Sequence, residues 1–185
     1  AFTFEYNQRG HQVYRVLEVN GTTGKARALI TEKSGTFIDY YHKHFRRDVK
    51  DGKFIIWQSE RDGWSHLYLY DGETGRVRNQ ITSGDWVVRG VEYVDPQRER
   101  IIFRAGGREA GDPYFIHYYS IGFDGSGLTH LTPGRGSHRA VFSADTALML
   151  DTWSQVDSPP ATVLRDAVTG ELISSVAEAD ISALV

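Results

Sequence analysis

Four tight-turn glycines recur along the chain. Gly24, Gly75, Gly127 and Gly170 are separated by 51, 52 and 43 residues, and a Thr or Ser precedes each one. The surrounding segments run Thr3–Thr31, Ile55–Thr82, Ile102–Thr132 and Met149–Val176. Each reads as an apolar strand, a polar turn, a second strand, the glycine turn and a third strand. Runs such as Ile55-Ile56-Trp57, His66–Tyr70 and Val13–Val19 are short, aromatic or β-branched, and bounded by turn residues, which is the pattern of strands. A glycine free to take positive φ lets the chain reverse so that the flanking strands pair antiparallel. One such sheet cannot bury both of its faces, but stacked sheets can, and a period of about 40–50 residues is that of propeller blades. The linking segments, such as Ser83–Arg100, leave room for one more strand per blade. The expected fold is therefore all-β, a partial β-propeller of about four antiparallel blades occupying residues 1–185 as a single domain. No stretch of twelve residues has helical periodicity with caps; the tail from Ser174 reads as a short helix or a disordered end.

Composition narrows the functional classes. Hydrophobic residues make up 40% and aromatics 12%, enough for a buried core, and the net charge of −3 with scattered Lys and Arg argues against nucleic acid as a partner. No apolar run approaches the roughly 18 residues of a membrane span. The absence of cysteine rules out disulfides, thiolate chemistry and Cys-ligated zinc. The seven histidines carry no metal signature: His42 and His44 alternate on one expected strand face, but no third ligand follows at a recognisable spacing. No metal or other cofactor is expected. Ala105–Pro113 is glycine-rich without a phosphate-binding pattern and reads as a long hairpin loop. The chain lacks a signal-peptide pattern and opens at Ala1 in what already reads as a strand, so it is expected to be a piece of a longer protein.

The stretch "FIIWQSERDGWSHLYLYD", with "FTFEYNQRGHQVYRVLEV" before it and "IDYYHKHFRR" between the two, resembles the N-terminal propeller region of dipeptidyl peptidase IV-like enzymes, in the prolyl oligopeptidase family of serine peptidases. The resemblance runs in order through Thr132, and "SQVDSPPATVLRDAVTGELI" is similar to that family's final blade. It implies a fragment covering about the last half of an eight-bladed propeller, followed in the parent by an α/β-hydrolase domain that holds the catalytic triad. The implied partners are a peptide substrate and that hydrolase domain. The implied parent is a periplasmic or secreted serine-type dipeptidyl peptidase, whose propeller gates entry of short peptides and lines part of the substrate cavity. The resemblance also places a substrate-lining Phe-Arg pair at Phe45-Arg46, the alternative being a surface Arg beside a core Phe. A TolB-type propeller repeat, a scaffold for protein–protein binding, is the alternative reading of the chain.

Gly63-Trp64-Ser65 invites comparison with the family's nucleophile elbow. Ser65 is followed by His66-Leu67, so the second glycine is missing, and Ser65 opens a strand where the elbow needs a strand, a sharp turn and a helix. Ser126 and Ser137 also lack the full pattern. No catalytic residue is therefore assigned, and the chain by itself is expected to be inactive. With only about four blades, its end blades are expected to lack partners and to promote self-association.

Overall fold

The computed structural model describes residues 1–180 and 182. Among them, fifteen strands form four antiparallel sheets, each a meander in chain order, and no α-helix occurs. The first sheet has three strands, β1 (Phe2–Asn7), β2 (Val13–Val19) and β3 (Ala26–Lys33). The second has β4 (Arg46–Val49), β5 (Phe54–Ser59), β6 (His66–Asp71) and β7 (Val77–Gln80). The third has β8 (Val87–Asp95), β9 (Arg100–Gly106), β10 (His117–Gly122) and β11 (Thr129–His130). The fourth has β12 (Ser137–Phe142), β13 (Leu148–Gln155), β14 (Ser158–Asp166) and β15 (Leu172–Glu178). These are the blades of a partial β-propeller. The segments between repeats supply β4, β8 and β12. The tail differs from expectation. Ser174 to Glu178 belongs to β15, whose hydrogen bonds to β14 decide its conformation; residues 181 and 183–185 lie outside the described residues.

The glycine turns share one construction. Gly24, Gly75, Gly127 and Gly170 all have positive φ, between 65° and 79°. In three of them the glycine amide donates to a carbonyl four residues back, at Asn20, Asp71 and Asp166. The side-chain oxygen of each of those residues also accepts two amide hydrogens of the turn. The turn's backbone donors are thus satisfied without a ladder partner.

The chain divides into two compact units. The first holds sheets one and two, Ala1–Gly84, together with Phe123–Gly125; the second holds sheets three and four, from Asp85 onward. Inside the first unit, Tyr14, Val16, Leu29 and Ile30 of sheet one pack on Ile55, Trp57, Tyr68 and Tyr70 of sheet two. Inside the second, Ile102, Tyr118 and Leu131 pack on Met149 and Ala167. Sheet-on-sheet burial of this kind is why the repeat is stable only when stacked.

Candidate functional site

One end of the first unit is built from three connections: the β1–β2 turn, the Ser34–Phe45 segment that leads from β3 to β4, and the β5–β6 turn. Alternating strand direction brings all three to the same end of the stacked sheets. They are tied together there. The Ile38 amide donates to the His11 carbonyl at 2.8 Å, the Ser34 amide to Gln12 at 3.0 Å, and Lys43 Nζ reaches Glu60 at 2.7 Å. His11 takes φ +56° at the tip of the first turn, and its ring stacks on Tyr40 at 5.3 Å.

Between these connections lies a cavity of about 460 Å³. Its aromatic wall is continuous: Tyr40 stacks over Tyr14 at 6.0 Å, and Tyr14, His44 and Trp57 meet edge to face or tilted at 5.2–6.1 Å. Glu32 is one of the charged residues of the wall. It accepts from Trp57 Nε1 at 2.9 Å and pairs with Arg61. Arg61 is fixed in turn by Ser59 Oγ at 3.0 Å and the Tyr70 hydroxyl, and its guanidinium lies over the Tyr68 ring at 4.4 Å. Phe37, Tyr41 and Trp64, on the same connections, are exposed. Aromatic faces with fixed, paired charges suit a ligand that offers both apolar side chains and amide groups.

Below the cavity, Glu5 on β1 accepts from the Tyr14 hydroxyl at 2.7 Å and lies 3.0 Å from His44 Nε2. The neighbouring His44 imidazole holds the Glu5 carboxyl down to about 2, assisted by Tyr14 and opposed by burial. Burial and the bond to Glu5 push the Tyr14 phenol up.

Phe45 and Arg46 enter β4 beside this group and share a shallow depression with Thr3, Glu5, Arg47 and Asp48. Phe45 is half-buried, and its carbonyl accepts from the Gln58 amide at 3.0 Å. Arg46 grips both carboxylate oxygens of Asp48 at 2.8 Å, donates to Thr3 Oγ1 at 2.8 Å and lies 3.6 Å from Glu5. His42 and His44 do not alternate on a strand. Both precede β4 in the β3–β4 connection, where Asp39 accepts from the Tyr41 and His42 amides and sets a turn. Among the described residues, no group of three His, Asp or Glu side chains is arranged to hold a metal ion.

Ser65 is buried just ahead of β6, and its Oγ accepts from Gln58 Nε2 at 2.8 Å. No helix follows it. The next residue, His66, is fully buried, with Nδ1 3.0 Å from Thr82 Oγ1 and Nε2 2.9 Å from the Gly84 carbonyl. Sequence reasoning missed Glu32, Trp57 and Arg61 as neighbours. They are 4 to 29 positions apart, and only the stacking of β3 on β5 and β6 unites them.

The chain matches the family model of the dipeptidyl peptidase IV N-terminal region over residues 1–160. It is 28% identical over 125 residues to dipeptidyl peptidase 4 of Trichophyton equinum and 29% identical over 125 residues to that of Arthroderma otae. Each alignment covers 65% of this chain and 16% of the relative. Among solved structures, Porphyromonas gingivalis dipeptidyl peptidase 4 superposes with a TM-score of 0.74 at 20% identity, over 95% of this chain and 24% of that one. The chain thus spans about a sixth of the length of the curated relatives it matches.

Proposed function

Because the chain belongs to the dipeptidyl peptidase IV N-terminal region family, we propose that it is a non-catalytic propeller portion of a serine exopeptidase, which gates short peptides and supplies part of their binding wall. An α/β-hydrolase domain elsewhere in the parent would carry out the hydrolysis, and the parent would act in the periplasm or outside the cell. The observation that carries the reading is the aromatic cavity at one end of the first unit, with Phe37 and Tyr41 exposed on its connections and Glu32 and Arg61 locked in its wall. Peptide side chains would pack on the rings, and peptide amides would meet the fixed charges. Phe45 and Arg46 belong to the same proposal as the flank of that wall. The Arg46 guanidinium is already held by Asp48, Glu5 and Thr3, so a bound peptide carbonyl would share it with them rather than find it free.

Kinetics of the parent peptidase with substrates of increasing length test this. Tyr40→Ala and Arg46→Ala should each lower kcat/KM for a hexapeptide by roughly tenfold, the loss of one good contact, and leave a dipeptide anilide nearly unchanged. Equal losses on both substrates would show that these residues hold the fold and not the peptide.

A further inference from the structure

Three histidines of the second unit form a row across the seam between its two sheets. His130 on β11 reaches His117 at the start of β10, with Nε2 3.3 Å from Nδ1. The rings of His117 and His138, the latter on β12, have centroids 4.9 Å apart, and His138 Nδ1 lies 2.8 Å from Asp151 on β13. His117, His138 and Asp151 are buried. Arg165 on β14 donates from Nε to the other Asp151 oxygen at 2.9 Å, and its remaining nitrogens reach the Gly170 and Pro133 carbonyls. At the outer end His130 stacks on Tyr119 at 4.8 Å and faces Glu109 at 3.7 Å. Glu109 is itself held by Arg108 and by the Tyr119 hydroxyl. Arg104, paired with Glu92, and Arg139 share a depression with His138.

The charge balance of the row is tight. Its inner end holds one carboxylate, Asp151, which already serves both a guanidinium and an imidazole. His117 Nδ1 also lies 3.2 Å from the Thr132 carbonyl, which can only accept, so the proton sits on His117 and a second one on His130 Nε2 would face it at 3.3 Å. His138 Nε2 is buried with no hydrogen-bond partner, so the inner end of the row has no spare polar group to offer its neighbours. The backbone link between the sheets sits on the same residue, because the His138 amide donates to the Ile116 carbonyl at 2.8 Å.

We propose that this histidine row is an acid-sensitive catch: protonation of His117 and His130 below neutral pH releases β12 from β10 and β11 and loosens the fourth sheet from the third. Burial pushes the His117 imidazole below its ordinary value and holds His130 at about 4, and the pull of Glu109 on His130 does not offset that burial. A base depressed in this way takes its proton more readily once the seam has opened. The stability contributed by neutral His130 is therefore whole above the ordinary histidine value of about 6.5 and is lost as pH falls toward about 4, and neutral His117 contributes in the same direction.

Amide hydrogen exchange of the protein between pH 7.5 and 5, corrected for intrinsic rates, reads the opening directly. Protection in β12 should fall by up to about tenfold per pH unit for each histidine titrating below its free value. Protection in β5 and β6 of the first unit should hold. The double substitution His117→Gln, His130→Gln should flatten the β12 response. A flat wild-type response, an undiminished response in the variant, or an equal fall in β5 and β6 would each overturn the proposal. Should the variant not fold, titration of the histidine rings by NMR in the unaltered protein decides it: His117 and His130 titrating at or above 6.5 would overturn it.

Discussion

Gly24 and Gly75 have nearly the same backbone, with φ of 69° and 71°, and different surroundings. A methyl group at Gly24 would meet open space, whereas one at Gly75 would lie 2.3 Å from the Leu29 carbonyl oxygen of the neighbouring sheet. The left-handed conformation alone costs an L residue about 1 kcal/mol. Gly24→Ala should therefore destabilise by about 1 kcal/mol, while Gly75→Ala should lose about 3 kcal/mol or more, because the sheets must part to admit the methyl. Urea unfolding of the two variants measures the difference, and equal losses would mean that the seam at Leu29 yields freely. The turn itself was legible in the sequence, since Thr-Gly after a strand signals a reversal. The accompanying Asn or Asp four residues before the glycine was there to be read as well, and its role follows from the short side chain's reach to the two amides ahead of it. What the sequence did not display is that Gly75 must be small for a second reason, the close approach of Leu29 from a strand that ends more than forty positions away.

At the scale of elements, Glu5 shows how a single polar group ties strands from two sheets. It sits on β1, holds Tyr14 on β2, and faces His44 and Arg46 at the entry to β4. Its carboxyl is held at about 2 in the folded protein, against about 4.3 in an unfolded chain. An acid depressed in this way stabilises the fold fully above the unfolded value, and the contribution is lost as pH falls from about 4.3 toward about 2. Glu5→Gln should cost about 1 kcal/mol at pH 7, a figure kept small because the carboxylate is partly open to solvent. The same change should flatten the acid limb of the stability profile over that window. An unchanged acid limb in the variant would assign the limb to other groups. The strands legible in the sequence were the apolar, alternating ones, such as β5 and β6. β4, with sequence Arg46-Arg47-Asp48-Val49, carries no such alternation and was visible only as room between repeats. β15 is exposed along its whole length, so burial left no period in it, and only its pairing with β14 makes it a strand. The candidate site was less legible than the fold for the same reason. Glu32 is brought to Trp57 and Arg61, and His138 to His117 and His130, by sheet stacking, which no local spacing encodes.

At the scale of the whole molecule, each unit presents a sheet face whose apolar side chains are exposed. On the first sheet the cross-strand rows Phe2–Val19–Ala26 and Phe4–Leu17–Ala28 lie side by side, and Phe2 and Phe4 are 58% and 43% exposed. On the fourth sheet the row Val141–Leu150–Leu164 runs across three strands, with Val141 59% exposed. The opposite faces of these two sheets are the buried ones, carrying Tyr14 and Val16 in the first and Met149 and Val163 in the fourth. Strand alternation therefore assigns the exposed residues to faces built for cover. Burying one such side chain fully is worth roughly 1.5–3 kcal/mol, and contiguous apolar faces are seldom left bare in water. We propose that the chain on its own self-associates through these faces, most simply as a two-fold dimer in which like face meets like face. Sedimentation velocity at micromolar concentration should show a dimer. Phe4→Ser, which removes one aromatic ring from the first face, should weaken a dimer built on that face by roughly tenfold or more. If Val141→Ser has that effect instead, the fourth sheet is the contact. A monomer at tens of micromolar, with both sheets intact by hydrogen exchange, would show that the polar neighbours Arg15 and Arg139 on these strands suffice to keep the faces apart, and the self-association reading would fall.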